Sequence, residues 1–173
     1  MRKIYDILNA LFLALTTYTV LSNYSALPDR VPVHFAISGA PDRWGSKSEL
    51  FIFVAISWGF TLLFYALNLA MPRLARNPRY LNIPHKWEFL KLAPERQAIY
   101  WELIREFMTA TTASFNLVFF LIVRATIRVI LGKTAGAPFK DLSVGLVAIL
   151  LVMIVYLPRM LTMPKKLIRG EEF

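Results

Sequence analysis

The sequence predicts an all-α membrane protein with four transmembrane helices, a compact outer loop that holds a short strand, and a long third helix reaching into the cytoplasm. Three observations predict it. Hydrophobic residues make up 57% of the 173 positions and charged residues 18%, against roughly 45–50% and about 25% in ordinary soluble domains. The excess is gathered into long runs: residues 50–71 carry no charge at all, and about 20 apolar residues span a bilayer. The net charge of +9 sits beside those runs. In a soluble chain it would suggest nucleic acid; flanking apolar segments, it orients them in a membrane, and no nucleic-acid partner is expected.

The first span covers about residues 4–22. It is read as a retained helix, because no convincing small-residue cleavage site follows it and more spans do. Residues 23–46 form the outer loop, where Pro28, Pro32, Pro41, Gly39 and Gly45 rule out a continuing helix. Within it Val31, Val33, Phe35 and Ile37 alternate with Pro32, His34, Ala36 and Ser38, the period of a strand with one apolar face. His34 is expected to share the opposite face with Pro32 and Ala36.

Ser46 and Glu49 have the spacing of a capping box, so the second span opens near Lys47 and runs to about residue 71. Ser57, Thr61, Tyr65 and Asn68 recur along it at helical spacing and are expected to face other helices. Residues 72–106 form the inner loop. Pro94 suits the first position of a helix and Glu95 its positive end. From Pro94 one helix is expected to run unbroken to Leu131, with its membrane part at about 107–131. Thr109, Thr112, Ala113 and Asn116 give it a stripe of small and polar residues for close packing. Arg124 and Arg128 share a face at its outer end. The fourth span is placed at about 142–162, with Pro158 bending its end. The whole chain is one four-helix domain.

Charge sets the expected orientation. The amino terminus (Arg2, Lys3), the inner loop and the tail carry thirteen Lys or Arg, whereas the outer side carries five, or seven with Arg124 and Arg128. The positive-inside rule then puts both termini in the cytoplasm of a multi-pass protein of the cell membrane.

Few residues could carry chemistry. Cysteine is absent and there are two histidines, which this topology places on opposite sides of the membrane. No HExxH, Walker or dinucleotide motif occurs, so a non-enzymatic protein without a cofactor is the expectation. The outer loop repeats Pro28-Asp29-Arg30 as Pro41-Asp42-Arg43. Each reads as a turn in which Asp caps the backbone. The sharper alternative is a metal or acid–base site of Asp29, His34 and Asp42, which would make the chain a membrane enzyme or metal-dependent protein. A third reading is recognition of an extracellular peptide or protein by Asp29, Arg30, His34, Asp42, Arg43 and Trp44, with Trp44 as a contact anchor. In the inner loop, Asn82, Pro84, His85 and Lys86 precede Trp87 and Phe89, and Pro94, Glu95 and Arg96 follow. Basic residues mixed with aromatics beside a membrane suit anionic headgroups or a cytoplasmic regulator. A transporter accessory subunit is the weakest rival, because spans two to four lack ionisable groups at their centres.

Leu27-Pro28-Asp29-Arg30-Val31-Pro32-Val33-His34-Phe35, then Pro41-Asp42-Arg43-Trp44 and Gly45-Ser46-Lys47, resembles the signature of a bacterial and archaeal membrane domain of unknown function. That domain also forms the front part of SdpI-like immunity proteins. Asn82-Ile83-Pro84-His85-Lys86 and Leu92-Ala93-Pro94-Glu95-Arg96-Gln97 resemble the same family, which often has Asn where His85 stands. The resemblance implies a membrane protein of the immunity or signalling type that captures a regulator. The additional spans that follow the domain in SdpI are not expected in this chain.

Overall fold

The structure is a computed structural model and describes residues 1–36, 38–77, 82–134 and 139–171. Its elements are α1 (Arg2–Asn23), β1 (Arg30–Phe35), β2 (Pro41–Ser46), α2 (Leu50–Leu74), α3 (Lys86–Phe89), α4 (Pro94–Ile130) and α5 (Phe139–Arg169). Four of these helices are long and apolar enough to cross a membrane. Their outward faces are correspondingly greasy: Leu62, Leu63 and Leu69 on α2, and Leu150, Leu151 and Ile154 on α5, are all more than half exposed. A water-soluble surface of that kind would aggregate. The chain has the build of a multi-pass membrane protein.

α4 is the axis of the bundle. Half of its most apolar stretch is buried inside the protein, against 22% for α1 and 11% for α2 and α5, and it touches all three of the others. At 37 residues it is roughly 55 Å long at 1.5 Å per residue, well beyond an apolar core of about 30 Å. It runs without a break through Phe107, as its sequence predicts, because Pro94 at its first turn is the last helix breaker before Gly132. Gly132 ends it: with φ +66° it takes the left-handed position that lets the Lys133 amide donate to the Arg128 carbonyl at 2.9 Å.

The predicted small and polar stripe of α4 is buried as expected: Thr109, Thr112, Ala113 and Asn116 are all enclosed. Asn116 ties three helices together. Its amide nitrogen donates to Asn9 Oδ1 of α1 at 2.9 Å and to Thr61 Oγ1 of α2 at 2.8 Å. Its carbonyl oxygen accepts from Ser57 Oγ of α2 at 2.8 Å. Asn9 in turn donates to the Thr109 carbonyl at 3.2 Å. On the other side, Gly145 of α5 is buried, and a Cβ there would collide with Val118 of α4, so the absent side chain allows close approach.

The second span's polar stripe divides. Ser57 and Thr61 face the bundle, whereas Tyr65 is 60% exposed. A stripe repeating every three to four residues drifts around a straight helix, and α4 covers only its first half. α5 also differs from expectation. It continues through Pro158 and Pro164 to Arg169 because its last turns have a partner: Leu167 and Met163 pack on Phe89, Tyr100 and Trp101, and Arg96 donates to the Leu167 carbonyl at 2.9 Å. The first and last described residues lie at this end, where Arg2 pairs with Glu102 at 2.8 Å and Gly170 lies beside Arg96.

At the opposite end the loop folds into a hairpin. β1 and β2 pair antiparallel, so the sequence-based expectation of one strand becomes a two-stranded sheet. Pro41-Asp42-Arg43 is extended strand, not a turn. The reversal falls beyond Phe35, where the Gly39 amide donates to the Ala36 carbonyl at 2.8 Å. The strict alternation predicted for β1 also fails. Pro32 faces Trp44 but His34 faces Arg43, so two residues of β1 oppose one of β2. That bulge rotates the strand, and Pro32 is buried while His34 is exposed. Ile37, the last member of the expected apolar face, lies outside the described residues.

The Asn116 junction yields a test. Replacing Asn116 with Leu strands the polar groups of Asn9, Ser57 and Thr61 in an apolar environment. The expected loss is about 1–3 kcal/mol in reversible unfolding in mixed micelles, whereas Tyr65→Phe at the exposed end of the stripe leaves stability unchanged.

Candidate functional site beneath the hairpin

The hairpin is held to the bundle by its own ends. Leu27 and Val31 are buried, Leu27 in a cluster with Val20, Leu50, Val123 and Ile127. Below β2 the capping box forms as its sequence predicts: the Ser46 amide donates to Glu49 Oε1 at 3.1 Å, and Ser46 Oγ accepts from the Ser48 amide at 3.3 Å. A short 3-10 turn, Lys47–Glu49, leads from it into α2. Lys47 clamps both sides of the junction. Its ammonium reaches Asp29 at 3.1 Å and the Leu27 carbonyl at 3.2 Å, and lies 5.1 Å from the Tyr24 ring centre.

Between the hairpin and the helix ends lies a cleft of about 370 Å³, within the size range of small-ligand pockets. Its floor is apolar, built by Leu50, Ile52 and Phe53 of α2, Ile122 of α4, and Phe139 and Leu142 of α5. Its rim is polar, with His34, Arg43 and Glu49. Arg43 sits 3.7 Å from Glu49, a loose pairing. His34 Nδ1 lies 2.6 Å from Asp42 Oδ1, which fixes the imidazole and leaves Nε2 free of that contact.

The outer candidates therefore divide. His34, Asp42 and Arg43 come together at the cleft. Trp44 is next to them on β2 and 52% exposed. Asp29 and Arg30 lie at the far end of β1. Asp29 precedes His34 by five residue steps, roughly 16 Å at about 3.3 Å each, and Asp29 engages Lys47 instead. The proposed trio of Asp29, His34 and Asp42 does not converge, and no group of three or more His, Asp or Glu side chains with metal-binding geometry occurs among the described residues. Sequence reasoning missed Glu49 as a rim residue and every floor residue from α4 and α5. No local signal marks them, because they are ordinary apolar positions until the helices assemble.

The inner-loop candidates form a separate unit at the termini end. His85 precedes α3 with φ +54°, a left-handed conformation that Asn adopts more readily than most residues. His85 Nδ1 is 3.2 Å from Glu88, and Lys86 stacks over Trp87. Asn82 is exposed and Pro84 half-buried. Gln97 donates to the Leu90 and Leu92 carbonyls at 3.3 and 2.9 Å, closing the loop onto the start of α4. Pro94, Glu95 and Arg96 form that start; Arg96 is the residue bonded to α5.

Fold and cleft together define a small multi-pass membrane protein with a capped pocket at one end of its bundle. The chain is similar over residues 11–58 to a family described as a domain of unknown function, DUF1648. That stretch runs from α1 through the whole hairpin into α2. An uncharacterized protein of Archaeoglobus fulgidus is 34% identical over 95 residues, which cover 54% of this chain and 52% of that protein. The match thus spans about half of each. No solved structure matches.

Two tests follow from the local geometry. A Cβ on Gly45 would collide with the Glu49 carboxylate, so Gly45→Ala should break the capping box and cost about 1–2 kcal/mol, read as a lower melting temperature. His85→Asn should leave the melting temperature unchanged, whereas His85→Val, β-branched in a left-handed position, should destabilise by about 1–2 kcal/mol.

Proposed function

We propose that this chain is a non-enzymatic protein of the cytoplasmic membrane that binds an extracellular peptide or protein segment at the hairpin cleft, as a receptor of the SdpI-like immunity or signalling type. The observation that carries the reading is the cleft itself: an apolar floor beneath Arg43, His34 and Glu49. Such a site takes an apolar side chain into the floor while the rim fixes a polar or charged end. Trp44, exposed beside it, supplies a contact anchor of the kind enriched in binding hot spots. The family similarity over residues 11–58 contains the hairpin, which supports the cleft rim as the shared working part. In this reading both termini are cytoplasmic, following the excess of Lys and Arg at their end. The unit around Phe89, Tyr100 and Leu167 then meets anionic headgroups or a cytoplasmic regulator.

The His34–Asp42 pair favours a second reading. A carboxylate on Nδ1 orients Nε2 as a metal ligand or base, and purified protein that loses bound divalent metal on His34→Ala would establish it.

Because the chain has no cysteine, single cysteines test the orientation directly. Ser38→Cys should react with a membrane-impermeant maleimide on intact cells, and Lys91→Cys only after permeabilisation; the reverse pattern would sink the assignment. For binding, a photoreactive benzophenone residue at Trp44 should give a discrete adduct on intact cells in conditioned medium and none in fresh medium. Arg43→Ala should remove it. Equal labelling in both media would reject the receptor reading.

A further inference from the structure

A second cavity, of about 570 Å³, opens between α1, α2 and α4 on the termini side of the Asn116 junction. Its walls come from two facing stripes. Asp6, Asn9, Ala10, Leu13 and Ala14 recur along α1 at helical spacing, and Trp58, Thr61, Phe64, Tyr65 and Asn68 along α2. A hydrogen bond from Trp58 Nε1 to Thr17 Oγ1, 3.1 Å, draws α1 and α2 together beyond it.

Most of the hydrogen-bonding groups along it are already engaged. Thr109 and Thr112 donate their hydroxyls to carbonyls four residues back, at 2.8 Å each. Both polar ends of Asn9 are used within the junction, and Trp58 donates to Thr17. What remains are the Asp6 carboxylate, the Asn68 carbonyl oxygen and the hydroxyls of Thr61 and Tyr65. Asn68 donates to the Phe64 carbonyl at 3.2 Å, but its Oδ1 is buried with no partner. The Asp6 carboxylate forms no ion pair among the described residues. Its basic neighbours are engaged elsewhere: Arg2 by Glu102 at 2.8 Å, and the terminal amine near Glu106 at 3.9 Å. Lys3, also close in sequence, is exposed. A buried acceptor without a donor is costly, and the exposed Asp6 carboxylate at the edge of the cavity attracts a cation.

We propose that this cavity binds an amphiphile with a protonated amine head: the ammonium donates to Asp6 and Asn68 Oδ1, and the hydrocarbon chain lies along Ala10, Leu13, Ala14 and Phe64. An ammonium carries three donors and no acceptor, which suits the Asp6 carboxylate and the Asn68 carbonyl oxygen. Anionic amphiphiles are disfavoured by Asp6. The same chemistry is offered by phosphatidylethanolamine from the bilayer and by a free alkylamine.

The test uses the full chain in nanodiscs of equal phosphatidylethanolamine and phosphatidylglycerol, with retained lipid counted by native mass spectrometry. Wild type should retain the ethanolamine lipid preferentially, which assigns the bilayer as the source. Alternatively it should show no lipid preference but bind added dodecylamine and not dodecyl sulfate, which assigns a free amphiphile. In either case Asp6→Asn should weaken retention about tenfold, the scale of a charge-assisted hydrogen bond, and Asp6→Glu should keep it. Ala10→Phe, an exposed position that fills the cavity without entering the packed core, should abolish binding at an unchanged melting temperature. Preference for phosphatidylglycerol, or equal retention by wild type and Asp6→Asn, would overturn the proposal. Should Asp6→Asn fail to fold, unaltered binding in Ala10→Phe overturns it equally.

Discussion

Polar groups placed in an apolar medium must find one another, and in this protein they do so at Asn116. A single side chain on α4 satisfies Asn9 of α1 and both Ser57 and Thr61 of α2. No hydrophobic effect separates one lipid-facing helix from another within a bilayer, so packing and interhelical hydrogen bonds decide which faces meet. Asn116 therefore sets the rotation of α1 and α2 on α4. The registers of the hairpin end and of the termini end both follow from it. Gly145 against Val118 plays the matching part for α5, through close approach instead of hydrogen bonding.

The two ends of the bundle solve different problems. At the hairpin end the chain must cross from α1 to α2 through residues 24–49 without leaving backbone groups unpaired. The β1–β2 ladder pairs them, and the Ser46–Glu49 box starts α2 at a fixed point. The two register shifts that flank His34 leave it beside Asp42 while Pro32 stays buried, so this irregular stretch serves both the packing and the rim of the cleft. At the termini end α4 outruns the apolar layer, and the extra turns are stabilised by aromatic packing of Phe89, Tyr100 and Trp101 against α5.

The two cavities differ in the hydrogen-bonding capacity they offer. The cleft beneath the hairpin mixes cationic and anionic side chains over an apolar floor, as a site for a peptide segment would. The cavity between α1 and α2 offers one carboxylate, the Asn68 carbonyl oxygen and the Thr61 and Tyr65 hydroxyls. They lie on opposite sides of the Asn116 junction, so an occupant of either bears on helices whose rotation that junction fixes.

What the sequence determined by itself was the set of helices and their punctuation. Charge-free runs, the Ser46–Glu49 spacing, Pro94 and Gly132 are local signals, and each acts within one or two turns of the residue that carries it. The burial of Thr109, Thr112, Ala113 and Asn116 was legible for the same reason, since a stripe on one helix needs no knowledge of its partner. Tertiary structure alone decided the rest. Pro41-Asp42-Arg43 has the composition of a turn but pairs as a strand, because β1 offers it a ladder. α5 runs beyond its predicted end near residue 162 to Arg169, because Leu167 finds Phe89 and Tyr100 across space. Asp29 parts from His34 and Asp42 because Lys47 holds it at the hairpin's base. In each case a contact distant in sequence outweighed a local preference worth about 1 kcal/mol, and such contacts leave no periodic trace in the chain that makes them.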